Sequence, residues 1–242
     1  MITTLCFDFG NTLLKCAVFR DAAIEEIIVL ENDHHSTIAQ LISKYHPGKS
    51  LLSSVIHHDA SIEEQLIRSS KFHLLSHLSK IPVTTPVGKP DTIGADRLAM
   101  VVAAAELFPG RNNLVIGMGS AITYNFVNKN KEFIGGGISP GVGMRFRSLH
   151  QFTAKLPMVK TDWNFPLMGY DTRTNILSGV ILGTGKEIDG MIDLYQEKYG
   201  NLNVLLTGGD SAYFAPHIKN KIFADLNLIF KGLYAISELN NV

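Results

Sequence analysis

The chain has 242 residues with 22 basic and 22 acidic side chains, a balance that argues against a nucleic-acid-binding surface, and its 45% hydrophobic content excludes a disordered polymer. That length can bury a substantial core and accommodates one large domain or two smaller ones. Cys6 and Cys16 lie in apolar, strand-like surroundings that suit a reduced compartment better than a disulfide framework. No basic-then-apolar leader and no apolar stretch approaching the ~18 residues needed to cross a bilayer is present, so a soluble cytoplasmic protein without a membrane partner is expected.

From the N-terminus, the apolar runs 2–9, 13–19 and 24–30 are rich in Ile, Val, Leu and Phe and are separated by turn formers, which predicts an antiparallel meander. The first reversal reads Asp8-Phe9-Gly10-Asn11-Thr12-Leu13-Leu14-Lys15. It gathers a carboxylate, a hydroxyl, an ammonium and several amides around one tight turn, as a nucleotide phosphate tail requires, and Asp8 could orient a hydrated magnesium ion. An ordinary hairpin with an exposed Asp has the same pattern. A helix over 36–45, a strand over 51–56, a helix over 59–69 with Ile62, Leu66 and Ile67 on one face, and a short strand over 72–75 follow.

After the proline-bearing segment 81–90, an Ala-rich helix is expected over 95–107, stopped by Pro109-Gly110. Its start, Gly94-Ala95-Asp96-Arg97, sets a carboxylate beside an anion-gripping guanidinium, the layout of a base next to an acceptor-substrate clamp. A first-turn Asp that merely complements the helix dipole is the alternative. An apolar run at 114–116 then delivers Gly117-Met118-Gly119-Ser120, with strands over 121–127 and up to Gly135, so the opening pattern recurs roughly 110 residues later and suggests an internal duplication.

The glycine-rich segment 135–141 reads as a turn before a helix over 140–150. One long helix, or two broken near Gly183 and Gly185, covers 171–199, and a strand over 204–207 empties into Gly208-Gly209-Asp210. An apolar segment at 226–229 and a closing helix over 230–239 complete the chain. Neither glycine cluster is a Walker loop, since no Gly-Lys-Ser or Gly-Lys-Thr ends it. His73 and His77 would share a helix face but lack a third ligand at zinc-like spacing, and His34, His35, His57 and His58 read as surface loop residues.

Taken in order, the segments 8–12, 94–97, 119–123 (Gly119-Ser120-Ala121-Ile122-Thr123), 136–141 and 206–209 resemble type III pantothenate kinase over nearly the whole chain. The resemblance implies an α/β protein of the actin-like ATPase superfamily. It would have two ribonuclease-H-like domains, residues 1–110 and 111–242, each a mixed five-stranded sheet with flanking helices, and a nucleotide cleft between them. It implies ATP-dependent phosphorylation of pantothenate to 4'-phosphopantothenate, the first step of coenzyme A synthesis. Asp8, Phe9, Gly10, Asn11, Thr12, Leu13, Leu14, Lys15 and Ser120 match ATP-binding positions, Asp96 the proton acceptor, and Gly94, Ala95, Asp96, Arg97 and Thr172 the pantothenate site. ATP with magnesium (Mg2+), a monovalent cation such as potassium (K+) or ammonium (NH4+), and a homodimer with the acceptor site near the subunit interface are implied as well.

The chain departs from that pattern at three places. Gly117 stands where an Asp usually helps hold the monovalent cation, Asn125 where an Asp commonly follows the Thr-aliphatic pair, and Val87 where a substrate-facing Tyr is common. A hard cation deprived of a carboxylate must rely on carbonyls and water, so weakened cation binding is expected. The competing expectation is a non-catalytic or weakly active nucleotide-binding accessory protein of the same fold; a kinase for another small hydroxylated substrate is a third.

Overall fold

The computed structural model describes residues 2–241, which form two compact units. The first takes the described residues as far as Gly110, together with Val127–Ile134 and those from Asn227 on; the second takes Arg111–Phe126 and Gly135–Leu226.

In the first unit β1 (Thr3–Phe9), β2 (Leu14–Arg20) and β3 (Ala23–Leu30) form the expected antiparallel meander. Beside β1, β4 (Lys49–Ser54) and then β5 (Lys71–Leu74) add in parallel, giving the mixed order β3-β2-β1-β4-β5. Strand alternation sends Leu5, Phe7 and Phe9 to one face, where they are fully buried with Ile38 of α1 (His35–Tyr45) and Ile62 and Leu66 of α2 (Ala60–Ser69). The opposite face is covered by α3 (Ala95–Leu107) and by the closing helix, here α8 (Leu228–Asn240), whose Tyr234 ring stacks on Phe19 at 4.5 Å. These two helices touch backbone to backbone: a Cβ on Gly232 would lie 1.9 Å from the Ala99 carbonyl.

The second unit repeats the scheme. β6 (Asn112–Met118), β7 (Ala121–Val127) and β8 (Phe133–Pro140) are joined by β9 (Leu202–Thr207) and β10 (Phe223–Ala224) in the order β10-β9-β6-β7-β8, which is the first sheet's order with each strand replaced by its successor copy. Between β8 and β9 lie α4 (Val142–Gln151), α5 (Thr172–Leu177) and α6 (Gly183–Tyr199); α7 (Ser211–Phe214) follows β9. A core of Leu114, Ile116, Tyr124, Phe146, Leu177, Ile188 and Leu206 sits under these helices.

Several sequence expectations change. The third strand of the repeat runs on to Pro140, so the glycines at 135–137 lie in a strand and form no turn; Gly136 has no side chain because a Cβ there would sit 1.7 Å from the Tyr124 carbonyl. The break in the 171–199 helix is a π-helical turn at Ser178–Leu182, just ahead of Gly183, with helical backbone on either side. Residues 226–229 are no separate element, since α8 starts at Leu228, and the two-residue β10 was not foreseen. His73 lies in β5 and bonds Ser79, so it shares no helix face with His77.

Candidate active site

Asp8 stands near the end of β1, opposite Lys15 of β2 in the antiparallel register and beside Ser53 of β4 in the parallel one. Side chains in register share a face, so Lys15, Asp8 and Ser53 make a polar row across three strands, on the face turned away from Phe7 and Phe9. Beyond Asp8 the chain reverses through Gly10 to Leu13, closed by the Gly10 amide donating to the Leu13 carbonyl at 3.2 Å. Asn11, Thr12 and Leu13 at the tip are exposed, while Leu14 and Lys15 are partly buried. Phe9 contributes a core ring, edge-on to Phe7 and to His58 with centroids 6.0 and 5.9 Å away.

The helix α3 brings the second carboxylate. Gly94 is its N-cap and Asp96 lies in the first turn. A Cβ on Gly94 would come within 2.5 Å of the Asp96 Oδ1, so the carboxylate occupies the space that a larger residue would need. Arg97 places its guanidinium 5.6 Å from the Phe133 ring centroid, and Ala95 is buried.

The electrostatics tie these groups together. Burial pushes Asp8 up to about 7, the Asp96 charge adds to the rise, and Lys15 opposes it. Burial raises Asp96 too, against the Arg97 amide and guanidinium and its own amide. Two desolvated carboxylates that resist ionising beside each other form a donor set for a hard cation. No group of three or more metal-ligating side chains occurs among the described residues. Magnesium commonly takes one or two carboxylates and fills its remaining positions with water and phosphate, so the residues present fit it.

In the second unit Gly117-Met118-Gly119-Ser120 links β6 to β7. The Gly119 amide donates to the Ala121 carbonyl at 3.1 Å and the Gly141 amide to the Ser120 carbonyl at 3.2 Å. Gly208, at φ +99°, presses on the Met118 main chain from the end of β9, and the Asp210 amide donates to the Met118 carbonyl at 3.2 Å. Asp210 itself is raised by burial. Asn125 is fully buried, its amide donating to the Val115 carbonyl at 3.2 Å and to the Thr123 hydroxyl at 3.0 Å. Thr172 is the exposed first residue of α5, a helix capped by Asp171, which accepts from both the Thr174 amide and hydroxyl at 2.7 Å. Val87 is partly buried in the irregular segment before α3.

Two features were missed by the sequence reading. Ser53 is 0% exposed and its hydroxyl has no hydrogen-bond partner among the described residues, although it neighbours Asp8. Strand alternation would have placed it on the Asp8 face had the β1–β4 register been known. His58, in the loop between β4 and α2 as expected, bridges the Ser54 hydroxyl and the Glu63 carboxylate at 3.0 Å each.

Comparison with known proteins agrees with this geometry. The family model described as type III pantothenate kinase matches residues 4–194. The type III pantothenate kinase of Christiangramia forsetii is 40% identical over 98% of both chains, and that of Bacteroides fragilis strain YCH46 is 41% identical with the same coverage. A glucokinase from an Antarctic psychrotroph shares the fold at a TM-score of 0.52 and 10% identity, covering 98% of this chain and 99% of that one. The duplicated mixed sheets, the paired carboxylates and these relatives agree, and the chain belongs to the type III pantothenate kinases, which phosphorylate pantothenate with ATP for coenzyme A synthesis.

Proposed function

We propose that Asp96 is the base that takes the proton of the pantothenate hydroxyl, with Arg97 gripping the substrate carboxylate and Gly94 and Ala95 lining its approach. The observation that carries this is the Asp8–Asp96 pair: two desolvated carboxylates, one on β1 and one in the first turn of α3, each shifted upward, with the Asp96 charge felt at Asp8. A base with a raised proton affinity is better matched to an alcohol whose proton leaves as the phosphoryl group arrives. Asp8 keeps the other role, holding magnesium, which when bound neutralises charge on the triphosphate. Lys15 and the main chain of Gly10, Asn11, Thr12, Leu13 and Leu14 then receive phosphate oxygens, and Ser120 is the ATP-contacting position of the second unit. Thr172, exposed at the start of α5, is a pantothenate contact.

Exposed apolar side chains cluster in sequence just before Thr172: Leu167, Met168 and Tyr170 are 78, 84 and 81% exposed. Such a run favours a homodimer that covers them. A cytoplasmic setting is in keeping with the free, buried thiols of Cys6 and Cys16. A potassium or ammonium ion would find no carboxylate at Gly117, so activation by it should be weak. No helix among the described residues is long and apolar enough to cross a membrane. The comparisons lend no support to a non-catalytic accessory role.

A coupled assay with ATP, magnesium and pantothenate tests the assignment. Asp96→Asn should lower kcat roughly a hundredfold or more with little change in the KM for ATP; a variant that keeps the parent kcat removes Asp96 from the mechanism.

A further inference from the structure

The turn at Gly117 to Ser120 has no acidic side chain to fix it, yet it is held tightly from behind. A Cβ on Gly141 would lie 2.4 Å from the Gly119 carbonyl and 2.5 Å from that of Ser120, so the end of β8 rests directly on the turn. That end is gripped by one side chain. Arg145, in the first turns of α4, donates from Nε to the Pro140 carbonyl at 2.8 Å and from Nη2 to the Ser139 hydroxyl at 2.9 Å. The same Nη2 reaches Glu187 of α6 at 2.5 Å, and Glu187 in turn accepts from the Tyr124 hydroxyl of β7 at 3.0 Å. Burial alone would raise Glu187; the hydrogen bonds from Arg145, Ser139 and Tyr124 and the Arg145 charge hold it below its ordinary value. Arg145 and Glu187 are 22 and 28% exposed, so the pair is shielded enough to be stronger than a surface ion pair.

We infer that Arg145 and Glu187 form a clamp that positions the Ser120 turn for ATP by pinning Ser139, Pro140 and Gly141 against it. The inference rests on the reading of Ser120 as an ATP contact. Arg145 is a positioning residue: it acts on nucleotide through the main chain of Ser139, Pro140 and Gly141 and of the turn. A lysine cannot reproduce the fork that holds a carbonyl, a hydroxyl and a carboxylate together.

Steady-state kinetics on the full chain, varying ATP and pantothenate separately, provide the test. Arg145→Met should raise the KM for ATP about tenfold while the KM for pantothenate stays within twofold, and Arg145→Lys should recover only part of the loss. Glu187→Gln should give a smaller rise, and the double variant should be no worse than Arg145→Met, because the two act as one unit. Calorimetric titration with magnesium-ATP reads the same ranking where turnover is too low. If Ser120→Ala weakens ATP but Arg145→Met does not, the clamp is overturned and the ATP reading survives. If Ser120→Ala changes nothing, the ATP reading fails and the clamp with it. Equal rises in both KM values, with a lowered Tm, would show general loosening and overturn the clamp as well.

Discussion

Replacing Asp8 by Asn should stabilise the protein while removing its use of nucleotide. The ionised carboxylate is held where burial and the Asp96 charge disfavour it, and its pKa rises from 3.8 to about 7. A tenfold change in proton affinity corresponds to about 1.4 kcal/mol, so at pH 8 the fold carries a penalty of up to about 4 kcal/mol from this group. The sign follows from proton uptake: between the unfolded and folded values the folded state binds the extra proton, so stability falls as pH rises from about 4 to about 7 and then levels off. At pH 5 only about one pH unit of that interval has been crossed, and the penalty is roughly 1–2 kcal/mol. Asn, neutral and nearly isosteric, escapes the penalty at every pH. Even half the ceiling, about 2 kcal/mol, would raise Tm by about 4–8 °C in a chain of this size. Thermal melts of parent and Asp8→Asn at pH 8 and pH 5 check this: the gain should be large at pH 8 and shrink at pH 5. An Asp8→Asn protein no more stable than the parent at pH 8, or equally stabilised at both pH values, would refute the assignment of a strained carboxylate.

The remaining expectations follow from close contacts. Gly94→Ala puts a methyl where the Asp96 Oδ1 lies 2.5 Å away, so the carboxylate must swing out and kcat should fall roughly a hundredfold with only a small change in Tm. Gly232→Ala drives a methyl to within 1.9 Å of the Ala99 carbonyl and should separate α3 from α8, lowering stability by about 1–3 kcal/mol in urea unfolding. Asn125→Asp would set a buried carboxylate against the Val115 carbonyl, which now accepts from the Asn amide at 3.2 Å; its pKa should rise, so the urea midpoint should drop at pH 8 and recover as pH falls to 5.

Much of this was legible in the sequence because it is local. Apolar runs and turn formers located the meander, and the recurrence of the strand-turn-strand pattern pointed to a duplication, while the two mixed five-stranded sheets followed from the family resemblance. The Gly94 to Arg97 cluster was visible because a carboxylate at a helix start is a local signal. What failed depended on packing. Gly135, Gly136 and Gly137 look like a turn in sequence, and only the Tyr124 backbone pressed on Gly136 explains glycines within a strand. Ser53 escaped notice because its importance comes from a parallel neighbour 45 residues away, a register that periodicity along one strand cannot supply. The Arg145 clamp joins β7, β8, α4 and α6, and no spacing in the sequence announces it.

The duplication also shows how the two copies have come to differ. In the first sheet Asp8 of β1 lies in register with Ser53 of β4; in the second, Gly117 of β6 lies in register with Thr207 of β9. Both copies keep a buried hydroxyl residue on the neighbouring parallel strand, but only the first keeps the acid. In the first unit the Asp96 charge raises Asp8, whereas the second unit has Asp210, which follows β9 and whose amide bonds the Met118 carbonyl. The second offers a turn whose shape is fixed by glycine contacts and, through Gly141, by Arg145. Its Met118 carbonyl accepts from the Asp210 amide and the Ser120 carbonyl from the Gly141 amide, so two of the turn's main-chain oxygens are already engaged. With glycine rather than a carboxylate at position 117, a monovalent ion at that turn would have to rely on neutral oxygens, so potassium should change the rate little.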